Sequence, residues 1–122
     1  MKTSSKKAKG RKLQVWVCQK LSDISGIPYI KDGDIDNRPM GQSGVDVIIR
    51  GKALDILPFS IECKNQQSWS LPEWIRQTKE NVKEGTDWLL FFKKNNHEEI
   101  VAMDASYFFK LYKELLERRK MI

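Results

Sequence analysis

The reading that decides the fold comes from Gly44–Lys64, GVDVIIRGKALDILPFSIECK. Residues two apart on a strand share a face, so Ser60, Glu62 and Lys64 point one way and Phe59, Ile61 and Cys63 the other. A purely structural strand needs no Glu and Lys side by side at the end of an apolar row, whereas a core strand that carries chemistry does. Asp46 opens the preceding run Val45–Ile49, and Gly51-Lys52 is a turn signal between the two runs. Paired antiparallel, they bring Asp46, near the start of one strand, close to Glu62, near the end of the other. Two carboxylates and one Lys at that separation can hold a divalent metal and place a water beside it. Pro58 argues for a bulge or an edge, so the regular strand is predicted from Phe59.

Downstream, Ser70-Leu71-Pro72-Glu73 is a helix start: Ser70 as cap, Glu73 three residues on, Pro72 in the first turn. The helix is predicted to run to about Glu84 and stop at Gly85, packing through Trp74, Ile75, Thr78 and Val82. Trp69 and Trp74 fit core packing by default and base stacking as the alternative. Trp88–Phe92 is a continuous apolar run, a buried strand, with Glu99–Met103 as its hairpin partner. His97 lies in the turn between them and reads as a surface histidine. Asp104-Ala105-Ser106 opens a last helix whose Phe108, Phe109, Leu111, Tyr112, Leu115 and Leu116 make a broad apolar face. Such a face packs on the sheet, on a second copy, or on both. Arg118, Arg119 and Lys120 follow at its C-terminus, where the helix dipole already favours cations.

Upstream, Leu13, Trp16, Val17 and Leu21 give a helical stripe over Lys9 to about Leu21, with Gly26 beyond its end. Ile27–Ser43 is polar and turn-rich, with Ile27–Ile30 as a possible short strand. Asp32, Asp34 and Asp36 lack the Gly and Glu spacing of a calcium loop and read as a solvated loop. Arg38 and Gln42, just before Asp46, are within reach of phosphates near the site.

At 122 residues the chain makes one domain, predicted as residues 11–122 behind a flexible basic arm of residues 1–10. Residues 1–12 hold Lys2, Lys6, Lys7, Lys9, Arg11 and Lys12 without an acid. The chain has 22 basic and 16 acidic side chains, so removing those six leaves 16 against 16. The arm is either a solvated tail or a phosphate-gripping arm. No apolar run has membrane-spanning length and no signal-peptide pattern is present, so a soluble cytoplasmic protein is expected. Cys18 and Cys63 read as reduced, packed thiols, and no Cys/His cluster supports zinc.

Asp46, fifteen residues, then Glu62-Cys63-Lys64 resembles the PD-(D/E)xK nuclease signature, and more narrowly the small Holliday-junction-resolvase and phage-endonuclease branch. The capped helix and apolar strand after the motif sharpen the likeness, which covers most of the chain from about Lys9. The resemblance implies an α/β, restriction-endonuclease-like core with a central mixed sheet flanked by helices. It implies Mg²⁺, replaceable by Mn²⁺, on Asp46, Glu62 and the Cys63 carbonyl, with Lys64 holding the attacking water. Gln77 matches a Gln that relatives carry on the helix after the motif strand, where it orients the motif lysine, here Lys64, or contacts DNA; its alternative reading is an ordinary, partly exposed helical amide. Asp55 is too close to Glu62 for the pattern and reads as a turn or surface acid. Relatives usually carry a Glu on the first helix; Gln14 stands there, and its alternative reading is an exposed helix residue. The expected activity is endonucleolytic cleavage of DNA, held by Lys6, Lys7, Lys9, Arg11, Lys12 and Arg38. Holliday-junction resolution in recombination or phage DNA processing would require a homodimer. The rivals are a nicking or end-processing nuclease of the same fold, and a DNA-binding module with weakened catalysis.

Overall fold

The computed structural model describes residues 3–39 and 44–120; Gln42, weighed above as a phosphate contact, lies outside them. The order is α1 (Thr3–Ser25), β1 (Ile35–Asn37), β2 (Val47–Ile49), α2 (Ala53–Ile56), β3 (Phe59–Asn65), α3 (Leu71–Glu80), β4 (Asp87–Lys93), β5 (Ile100–Met103) and α4 (Ala105–Lys120). The strands form one sheet in the order β1-β2-β3-β4-β5. β3 and β4 are parallel, joined through α3, and the other neighbours are antiparallel. This is the α/β mixed sheet that the sequence predicts.

Alternation along the central strands feeds two cores. On one face Leu13, Val17, Cys18 and Leu21 of α1 pack with Ile35, Val47, Ile61 and Leu89. On the other, Trp74 of α3 meets Leu90 and Phe92. β4 is apolar from Trp88 to Phe92 because its two faces serve different cores. Trp69 stands edge-on to Phe92 at 4.9 Å and Trp74 tilts against the same ring at 6.3 Å, so both tryptophans pack. The stripe on α1 is rotated from the expected one: Gln14 and Cys18 are buried, while Trp16 is 37 % exposed.

Several boundaries differ from expectation. α1 begins at Thr3, so described residues assigned to a flexible arm are its first turns; helix formers such as Lys6, Lys7, Ala8 and Lys9 extend it in spite of Gly10. β1 lies inside the stretch read as a solvated loop. Its register sets Ile35 opposite Ile49 and Asn37 opposite Val47, and Ile35 is fully buried. Three residues, one of them Asp36, are too few to carry a period. Between the motif strands Ala53–Ile56 is a single helical turn rather than strand, and β3 starts at Phe59 as Pro58 dictates. Ser70 occupies the N-cap of α3, but its side chain makes no capping hydrogen bond. α3 stops at Glu80, because the chain at Asn81 turns to bond β3. Val82, expected in its packing stripe, is 36 % exposed.

Asp104 Oδ2 accepts the Tyr107 N–H at 3.1 Å and caps α4. Among the residues of α4 Tyr107 alone is buried, meeting Phe59 edge-on at 6.2 Å. No helix among the described residues is long and apolar enough to cross a membrane.

Candidate active site at the end of the motif strand

β2 and β3 pair regularly at Val47 and Ile61 and then part. The Asp46 N–H still donates to the Ile61 carbonyl at 2.9 Å. Beyond it the Asp46 side chain replaces the backbone: Oδ2 accepts the Cys63 N–H at 2.7 Å. The Val45 carbonyl accepts Arg38 Nε at 2.6 Å. The splay opens the end of the sheet and fixes the Asp46 carboxylate against the motif strand.

Glu62 is 6 % exposed, and its Oε1 accepts Asn81 Nδ2 at 2.8 Å. Its carboxyl is pushed up to about 7, first by burial, then by the charge of Asp46 and a hydrogen bond shared with it. Asn81 and Lys64 pull the other way. Lys64, two residues on, shares the Glu62 face and is half-buried. The Cys63 side chain lies in the α1 core, where burial holds its thiol well above the ordinary range. A protonated, enclosed thiol is no nucleophile, which leaves the backbone carbonyl of Cys63 as its available donor.

Asp46, Glu62 and Lys64 line one open cavity of about 540 Å³. Its walls include Lys6, Lys9, Gly10 and Gln14 of α1, Pro39, and Asn65–Ser68. Asn65 Nδ2 donates to the Lys9 carbonyl at 3.0 Å, tying the end of β3 to the basic turns of α1. Gln14 is 3 % exposed and faces the cavity, so the exposed-residue reading of it is set aside.

Other expected site residues lie apart. Lys7, Arg11 and Lys12 are exposed on α1 without lining the cavity. Arg38 borders a second recess beside Lys31 and Arg50. It lies over Gly44, where a Cβ would come within 3.2 Å of the guanidinium and φ is +105°, so glycine is needed there. Gln77 is half-buried on α3, with Nε2 3.4 Å from Glu73 Oε1, and does not line the cavity. Asn81 is the partner that sequence reasoning missed. Its contact with Glu62 spans nineteen residues and depends on where α3 ends, and the only sequence signal is an Asn near a helix C-terminus.

Among the described residues no group of three or more His, Cys, Asp or Glu gathers as a metal cage. Two carboxylates this close in a part-buried site nevertheless carry more negative charge than their surroundings solvate, as the raised Glu62 carboxyl records. Hard oxygen donors of that kind fit Mg²⁺ or Mn²⁺.

A family model described as phage putative PDDEXK endonuclease matches residues 5–122. No curated protein and no solved structure matches the chain.

Proposed function

The chain belongs to this phage PDDEXK endonuclease family, and from that premise we propose that it is a metal-dependent DNA endonuclease that selects branched structures, cutting four-way junctions in pairs. The observation that carries the reading is the placement of Asp46, Glu62 and Lys64 on one cavity, with Asp46 bonded to the Cys63 N–H. Asp46, Glu62 and the Cys63 carbonyl would hold Mg²⁺, or Mn²⁺ in its place. Held there, the ion would supply Lewis acidity to the scissile phosphate and to the attacking water. Lys64 holds the attacking water or hydroxide and offsets charge that builds on the phosphate oxygens. Asn81 orients Glu62, and Lys6 and Lys9 grip the strand beside the cut. Paired cuts on opposite strands need two sites, hence two copies of the chain. The setting that fits is recombination or phage DNA processing in a bacterial or phage-infected cytoplasm.

The buried Gln14, standing where relatives carry an acid, favours one second reading: a DNA-binding module whose turnover is weakened. Labelled four-way junction, linear duplex and flap, each with Mg²⁺ and with EDTA, separate these. Paired symmetric cuts on the junction alone are expected, absent in EDTA. Lys64→Ala and Asp46→Asn should each lower the rate by roughly 10²-fold or more, the scale of removing one preorganised electrostatic partner. Full activity in either variant sinks the assignment. Cutting of every substrate leaves a nicking or end-processing nuclease, and binding without cutting leaves the module.

A further inference from the structure

α4 leaves the body after Asp104 with Tyr107 alone buried. Phe108, Phe109, Leu111, Tyr112, Leu115 and Leu116 are between 37 and 69 % exposed. Most helical stability comes from packing an apolar face, and an isolated helix of this length is marginal in water. The sheet of the same chain does not cover this one. Val101 lies on the β5 face that carries Met103 into the Tyr107 cluster, and it is itself 45 % exposed.

We propose that the exposed face of α4 is the interface between two copies of this chain, packed antiparallel about a two-fold axis. Phe108, Tyr112, Leu115 and Arg119 fall at i, i+4, i+7 and i+11, a single stripe along the helix. The spacing 4-3-4 is the same read from either end, so an antiparallel copy meets it in register. Tyr112 then faces the partner's Leu115, and Phe108 faces the partner's Arg119, a guanidinium over a ring face. A parallel pair would instead crowd Arg118, Arg119 and Lys120 of both copies at one end.

The area is sufficient. At roughly 200 Å² for a large side chain, the exposed parts of the six apolar groups come to roughly 500 Å², and Ile100 and Val101 extend the patch. A stable interface takes about 800 Å² per partner, a little over half of it apolar. Pairing of this kind is isologous and closes at two copies. It deepens the two-copy requirement of paired cutting, yet holds whether or not the site turns over, and its readout is mass rather than cleavage.

Light scattering on the full chain at micromolar concentration should give twice the 14.3 kDa of one chain. Tyr112→Glu with Leu115→Glu should give a single-chain mass with an unchanged circular dichroism spectrum, since both positions are exposed. In a mixture, Phe108→Cys and Arg119→Cys chains should link under mild oxidation while neither links alone, because equivalent residues lie far apart along an antiparallel pair. The native Cys18 and Cys63 are buried and do not interfere. A single-chain mass for the wild type, or a two-chain mass that survives the double Glu change, overturns the proposal. Linking of either Cys variant alone means parallel pairing and overturns it too. So does a monomer whose DNA binding is lost in the double Glu variant, which would make α4 a nucleic-acid contact.

Discussion

Burial and the neighbouring Asp46 raise the Glu62 carboxyl from its ordinary 4.5 to about 7. The folded chain therefore binds this proton more tightly than the unfolded one. The stability this gives is full below about 4.5 and is lost as pH rises through about 7. Chemical denaturation in EDTA should show the wild type weakening between those values, a loss absent in Glu62→Gln. Metal must displace the same proton, so Mg²⁺ or Mn²⁺ affinity measured by calorimetry should climb by up to about tenfold per pH unit below 7 and level off above it; a flat profile would remove Glu62 from the metal site. Asn81→Leu takes away a bond to the charged form. It should lower metal affinity by roughly 10- to 100-fold, the usual cost of losing a partner of a metal ligand, and move the pH midpoint upward. Asp46, Glu62 and Lys64 were legible because a period of two and one antiparallel pairing place them together. Asn81 was not, since nothing local shows which strand a helix end will meet. Gln14 was ambiguous because two neighbouring α1 stripes satisfy helical spacing, and only packing chooses between them.

The elements that build the cavity are joined by few bonds. Asn65 follows Lys64 at the end of β3 and holds the Lys9 carbonyl, so it sets where the basic turns of α1 stand. Asn65→Leu should cost about 1 kcal/mol in stability, the net worth of one hydrogen bond. Cleavage should fall further, by up to roughly 100-fold, if a small shift of the wall misplaces the strand. Comparing denaturation midpoints with single-turnover rates checks this; equal losses in both would reduce Asn65 to a packing residue. Long elements were readable from sequence because their periods repeat: β3, β4 and the body of α1 each show several cycles. β1 and α2 are three and four residues long, shorter than two cycles of their own periods, and tertiary pairing alone defines them. The end of α3 escaped for a related reason. Gly85 has φ +81° and looks like a helix stop, but Asn81 and the Lys83 N–H, 3.0 Å from Ser60 Oγ, draw the chain to β3 first.

At the scale of the whole molecule, charge and shape divide the work between two surfaces. The excess of six positive charges equals the number in residues 1–12, and α1 presents Lys6 and Lys9 to the cavity while Lys7, Arg11 and Lys12 face elsewhere. All five sit on one helix, α1; on the proposed reading a duplex laid along it would reach both sets, and only the first would lie beside the strand being cut. This separates two variants of equal charge. Lys6→Gln with Lys9→Gln and Lys7→Gln with Lys12→Gln each remove two cations. Each should reduce the slope of log affinity against log salt by about 1.8, at roughly 0.9 for every phosphate no longer neutralised. The cleavage rate of the fully bound complex should fall in the first pair and hold in the second, because saturating DNA replaces affinity but not alignment. Filter binding across a salt series, followed by single-turnover cleavage at saturation, makes the comparison. Identical rates in the two variants would mean that the basic turns supply attraction alone, and the cavity would then have to align its strand through Lys64 and the Gln66–Ser68 wall.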